Sequence, residues 1–172
     1  MTSSPPSLPY HEKQSFFNQL CLMHALNMIA GSNRFTKQSM DEACQKLCPT
    51  NGWYQKNPHS GWFGGNYDVN IAMYIVENEL NCNIQYFDGR KNPKEIFQDS
   101  TRNIHCLLLN VPSSTFLPLA GRHWICYKLV DHLYWFRLNS HESRPVLIAD
   151  IVEEMRKHLE RGNTILTISK EQ

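Results

Sequence analysis

The stretch HEKQSFFNQLCLMHALN, residues 11–27, sets one cysteine at the border between a polar segment and an apolar run. From Leu20 to Ala30 only His24 and Asn27 interrupt the apolar residues, and Gly31 supplies a stop. A helix this apolar all round belongs inside a fold. Cys21 then stands in its first turn, where the dipole and unpaired N–H groups favour a thiolate. Three readings of Cys21 stay open at this level: a nucleophile, a metal ligand together with His24, and ordinary packing.

On the N-terminal side, residues 1–9 are rich in Ser and Pro and read as a mobile tail. On the other side, Ser39 with Glu42 reads as a capping box for an amphipathic helix carrying Met40, Ala43, Cys44 and Leu47, which Pro49 ends. Residues 49–66, ending in FGGNYD, read as a long loop of the kind that is often functional. Asp68 can cap a further helix with Val69, Ala72, Met73, Ile75 and Val76 as its stripe. Cys82, Ile84 and Tyr86 alternate as in a half-buried strand, and Asn92-Pro93 with Glu95 starts a short helix.

The last third changes period. IHCLLLNV (104–111), HWICYKLV (123–130), LYWFRLN (133–139) and TILTIS (164–169) have strand character. One helix interrupts them, with Ile148, Ile151, Val152, Met155 and Leu159 on one face and Gly162 past its end. Helices first and strands later predict an α+β fold with a largely antiparallel sheet.

The 172 residues fit one domain, and 41% hydrophobic with 19% charged residues is the composition of a packed globular chain. A formal net charge of +1, with scattered basic residues, offers no footprint for nucleic acid. No apolar stretch reaches the roughly 20 residues of a membrane span, and MTSSPPSLPY lacks a signal-peptide core. A monomeric cytoplasmic protein is expected. Its six cysteines, Cys21, Cys44, Cys48, Cys82, Cys106 and Cys126, should then be free thiols, mostly packed as small hydrophobes.

A cysteine nucleophile needs a histidine to take its proton and a third group to orient the imidazole. His123 opens one predicted strand and Asn139 closes the next, with a turn near 131–133. A three-residue loop puts Asn139 on the face of His123, on the diagonal, and a two-residue loop puts it on the opposite face; the three-residue loop, or a bulge, is expected. A zinc site could draw on Cys21, His24, Cys44 and Cys48, but Cys44 lies on the apolar face of its helix and His24 within a nonpolar run, where packing explains both better. Trp124 reads as core or as a wall of a cleft, while Trp53 and Trp62 sit in a polar loop where they could meet a partner. Gly64-Gly65 lacks the Lys-Ser/Thr ending of a phosphate loop and reads as a turn.

These residues together resemble a family. HEKQ, LCLMHALN, GNYDVN (65–70), NVPSS (110–114), RHWIC (122–126) and RLNS (137–140) are similar, in order and from about Tyr10 to the C-terminus, to the Josephin domain of papain-like cysteine deubiquitinases. The resemblance implies a papain-like fold over residues 10–172, with a helical N-terminal half, a helical arm at about 31–65 shaping ubiquitin access, and an antiparallel C-terminal sheet. It implies Cys21 as nucleophile, His123 as general base and acid, Asn139 as orienter and Gln14 as oxyanion donor, with ubiquitin and ubiquitinated proteins as partners. No metal or organic cofactor is implied. Gln14 stands seven positions before Cys21, farther than in the family pattern, so Gln19 is the alternative donor. A ubiquitin-binding protein with a weak or silent site is the alternative function, and a zinc-binding module a more distant one.

Overall fold

In the computed structural model, which describes residues 6–15, 19–52, 55–61, 65–113 and 121–170, the apolar run forms helix α1 over Cys21–Ala30. Eight of its ten residues are buried, and Gly31 ends it in the left-handed conformation (φ 80°) that glycine adopts without strain. Helix α2 spans Lys37–Leu47 and α3 spans Val69–Asn78, with Asp68 Oδ1 accepting from the main-chain N–H of Asn70 and Ile71. Then follow strand β1 (Cys82–Tyr86), the one-turn helix α4 (Glu95–Gln98), β2 (Ile104–Pro112), β3 (Arg122–Val130), β4 (Tyr134–Leu138), β5 (Val146–Ile148), α5 (Ile151–Glu160) and β6 (Thr164–Lys170).

The six strands form one antiparallel sheet in the order β1-β6-β2-β3-β4-β5. Its two faces carry separate cores. On one, α1, α2 and α3 pack with Cys106, Leu108, Trp124 and Cys126; on the other, α5 and α4 meet Leu107, Leu109, Ile125 and Tyr127. This explains the unbroken CLLL of β2, because a central strand covered on both sides has no solvent face to alternate with. Lys128 Nζ donates to the carbonyls of Met28 and Ile29, neutralising the negative end of α1 and tying it to β3.

Three local expectations change. The capping box of α2 starts at Thr36, with Ser39 as its N3 member: Thr36 Oγ1 accepts the Ser39 N–H and Ser39 Oγ accepts the Thr36 N–H. Serine here fills the role usual for glutamate, so the helix begins earlier than Ser39–Glu42 suggests. Ile148 belongs to the edge strand β5 rather than to the last helix, because Asp150 accepts the Glu153 N–H and so starts α5 after it. Within the expected mobile tail, Ser7 donates from both its N–H and its hydroxyl to Asp131 Oδ2, which ties this residue to the turn after β3. Trp53, Trp62 and Phe63 lie outside the described residues. Among the described residues, no helix is long and apolar enough to cross a membrane.

Candidate active site

Cys21 is the first residue of α1, and the residue before it, Leu20, has no side chain able to cap the helix. The first-turn N–H groups are therefore left without the usual side-chain acceptor and are available to an anion at the helix start. The thiol is 7% exposed and lies among the main-chain N–H groups of Trp124, Leu22 and Cys21 itself. Contact with Trp124 puts the sulfur next to the chain position of His123. Among the described residues no hydrogen bond joins Sγ to the His123 ring, and such bonds often tighten only when substrate binds.

The β3–β4 loop has three residues, Asp131–Leu133, between the paired Val130 and Tyr134. Two-residue pairing steps beyond Cys126↔Leu138 put Asn139 diagonal to His123, as the three-residue alternative requires. Asn139 Oδ1 accepts from His123 Nε2 at 2.8 Å. In neutral His123 this bond fixes the proton on Nε2 and leaves Nδ1 as the basic nitrogen. His123 shares the ladder parity of Ile125 and Tyr127, whereas α1 packs against the parity of Trp124 and Cys126. The site thus straddles the end of the sheet, where β3 begins and β4 leaves, beside the start of α1.

Gln14 is 8% exposed and is held twice by one residue: its N–H donates to the Ser140 carbonyl (2.8 Å), and its Oε1 accepts from the Ser140 hydroxyl (3.1 Å). With Oε1 occupied, the amide presents Nε2 as its remaining donor. Gln19 is exposed and turned to another task. Its carbonyl and Oε1 accept from the N–H and Nδ2 of Asn66 at 2.8 and 2.6 Å. Residues 65 and 66 thereby dock on the segment entering α1, and Gly65 is required there: it has φ 75°, and a Cβ would lie 2.8 Å from the Gln19 carbonyl oxygen.

Protonation departs from the sequence expectation of a readily formed thiolate. Burial pushes the Cys21 thiol above its usual range, and the three surrounding N–H groups offset this only in part. Burial likewise pushes His123 down to about 4, which the Asn139 bond opposes and nearby His141 reinforces. Desolvation penalises both charged forms, so the resting pair is neutral thiol and neutral imidazole.

Sequence reading missed several members of this site. His24, weighed as a metal ligand, has Nδ1 2.6 Å from Glu12 Oε2, and that oxygen also accepts from the fully buried Asn27. Tyr10 donates to the other carboxylate oxygen. This network straps the segment bearing Gln14 onto α1. Ser140 and His141, which follow Asn139 directly, are the other additions; the RLNS motif contained Ser140 without revealing its target. Cys44 is buried with Sγ against the His59 carbonyl, and no group of three or more metal-ligating side chains gathers among the described residues.

The comparisons with known proteins agree with one another. A model of the Josephin family matches residues 17–169. A Josephin-like protein of Drosophila melanogaster is 35% identical over 160 residues, covering 84% of this chain and 64% of that protein. Josephin-2 of Mus musculus is 35% identical over 153 residues, covering 86% of this chain and 76% of its own. A Josephin-like protein of Arabidopsis thaliana is 30% identical over 164 residues, covering 89% of this chain and 44% of its own.

Proposed function

The chain belongs to the Josephin family of the α+β papain-like cysteine peptidase class, and from that premise we propose that it is a thiol-dependent ubiquitin hydrolase. It cleaves isopeptide or peptide bonds after the C-terminal glycine of ubiquitin. The observation that carries this reading is the pairing of an uncapped helix start bearing Cys21 with a histidine whose Nε2 is already committed to Asn139.

The chemistry follows from these positions. His123 Nδ1 takes the Sγ proton as sulfur attacks the carbonyl of the terminal glycine. The carbonyl electrons move onto oxygen, which the Cys21 N–H and Gln14 Nε2 stabilise. Collapse expels the amine, which leaves with the proton held by His123, and a thioester remains on Cys21. Water, deprotonated by the same imidazole, then releases ubiquitin and restores the thiol.

The neutral resting pair favours a second reading, in which the protein binds ubiquitin and its active site is weak or silent. One comparison separates them. A ubiquitin C-terminal electrophile should label Cys21 at neutral pH far faster than a small alkylating agent does, and the small agent should react faster as pH rises through 9 without a neutral plateau. Absence of labelling by the ubiquitin probe would favour the binding protein. A neutral plateau with the small agent would mean that the thiolate forms unaided.

A further inference from the structure

Four consecutive residues after β4 each serve a different part of the site. Asn139 receives the His123 Nε2–H, and Ser140 holds Gln14. Glu142 closes the turn, with its N–H on the Asn139 carbonyl, its carboxylate on Arg137 and its carbonyl 2.9 Å from His11 Nε2. The remaining member, His141, lies flat on the His123 ring, with centroids 3.8 Å apart and planes at 14°. Its main-chain N–H donates at 3.0 Å to Asn139 Oδ1, the same oxygen that accepts from His123.

We propose that His141 is a positioning residue for this reaction: its ring covers the outer face of the His123 imidazole and holds it in the plane that keeps Nε2 on Asn139 and Nδ1 toward the thiol. This rests on the reading of His123 as the base. The turn holds the main chain under this ring in place, because both neighbours of His141 are bonded elsewhere and its own N–H is on Asn139 Oδ1. It also accounts for a burial pattern that is otherwise odd: His123 is only 5% exposed although it stands at the end of a strand, while His141 itself is exposed.

Covering the base has two consequences. It keeps water from competing for Asn139 Oδ1, and it removes hydration that an imidazolium needs. Among the described residues, the titratable group shown against the His123 ring is His141. Nearby charges are turned away: Arg122 binds Asn110, Glu142 binds Arg137 and Glu12 binds His24. When His141 is itself protonated, the stacked ring opposes a second positive charge on His123.

The test compares wild type with His141→Ala and His141→Phe, using hydrolysis of a ubiquitin C-terminal fluorogenic amide and an NMR titration of the His123 ring. His141→Ala should lower kcat by about tenfold or more with little change in KM, because a loosened imidazole is misplaced by a fraction of an ångström. It should also raise the titration midpoint of His123, and the acid limb of kcat/KM with it, as water reaches the uncovered ring. His141→Phe keeps a flat cover and should recover most of the lost kcat, with a smaller rise in the midpoint. The proposal is overturned if His141→Ala leaves kcat and the His123 titration as in wild type, or if His141→Phe is as impaired as His141→Ala. His123→Ala is the reference: activity retained there removes the underlying base assignment, whereas loss there with an unaffected His141→Ala removes only the inference about His141.

Discussion

Two buried histidines flank strand β3, and they differ at one nitrogen. His158, on α5, is 8% exposed and has a partner at each ring atom: Asn163 Nδ2–H donates to its Nδ1 (3.1 Å), which puts its proton on Nε2, facing the Tyr127 hydroxyl (2.8 Å). Tyr127 in turn donates to Glu154 (2.9 Å). His123, at the start of β3, has the same tautomer, but among the described residues only its Nε2 is bonded. Burial pushes both histidines below the ordinary imidazole range, so each is a neutral base by environment. A buried histidine becomes chemically available when one lone pair is left unspent, and among the described residues the Asn163 that caps His158 has no counterpart at His123.

The largest effects should therefore fall on one histidine only. His123→Ala and Cys21→Ala should each reduce ubiquitin-amide hydrolysis by at least about 10³-fold while ubiquitin binding survives. His158→Ala should leave turnover intact. Loss of activity on replacing His158 and not His123 would reverse the comparison. Asn139→Ala should do less harm than His123→Ala, since the base remains but its tautomer and plane are no longer held.

Next in size is the oxyanion donor. Gln14→Ala should lower kcat by roughly 10²–10³, or about 2.7–4 kcal/mol of transition-state stabilisation, in single-turnover assays. Gln19→Ala should cost less than about tenfold by the same measure, because Gln19 is exposed and anchored on Asn66, whereas Gln14 is buried and held by Ser140. The reverse order would assign the donor to the segment entering α1.

For stability the two histidines exchange rank. His158→Ala removes the partner of the Tyr127 hydroxyl oxygen and of Asn163 Nδ2 in the interior and should lower unfolding free energy by about 1–3 kcal/mol in urea titrations.

The smallest effect is shared by both histidines and depends on pH. His105 and His123 are held down to about 4 and His158 is also depressed, whereas in the unfolded chain imidazoles titrate near 6.5. Between those values the unfolded state binds more protons, so stability rises with pH and is lost progressively as pH falls from about 6.5 toward 4. The urea midpoint should decline over that window, and replacing His123 should flatten the decline.

Local pattern was enough for whatever depends on neighbours in the chain. The apolar run, the Gly31 stop and the Asp68 cap defined α1 and the start of α3, and the changed period of the last third marked the strands. The three-residue loop put Asn139 on the face of His123 by parity alone. Edge strand β5 escaped because three residues carry too little period to distinguish Ile148 from the helix after it. The α2 start escaped because a Thr-Ser box lacks the glutamate that usually marks one.

Sequence by itself thus determined which residue types stand at the start of α1 and at the ends of β3 and β4. Only the tertiary structure decided their state. Ser140 meets Gln14 across 126 chain positions, Glu12 reaches His24 and Asn27 from a separate segment, and His141 closes over His123. Each contact is long-range or stems from a turn whose direction no periodicity encodes. Charge state is the clearest case. A helix start and a nearby histidine argue for a thiolate when read from sequence, yet removal of water around Cys21 and His123 reverses the balance, and the extent of that removal is set by how the whole chain packs.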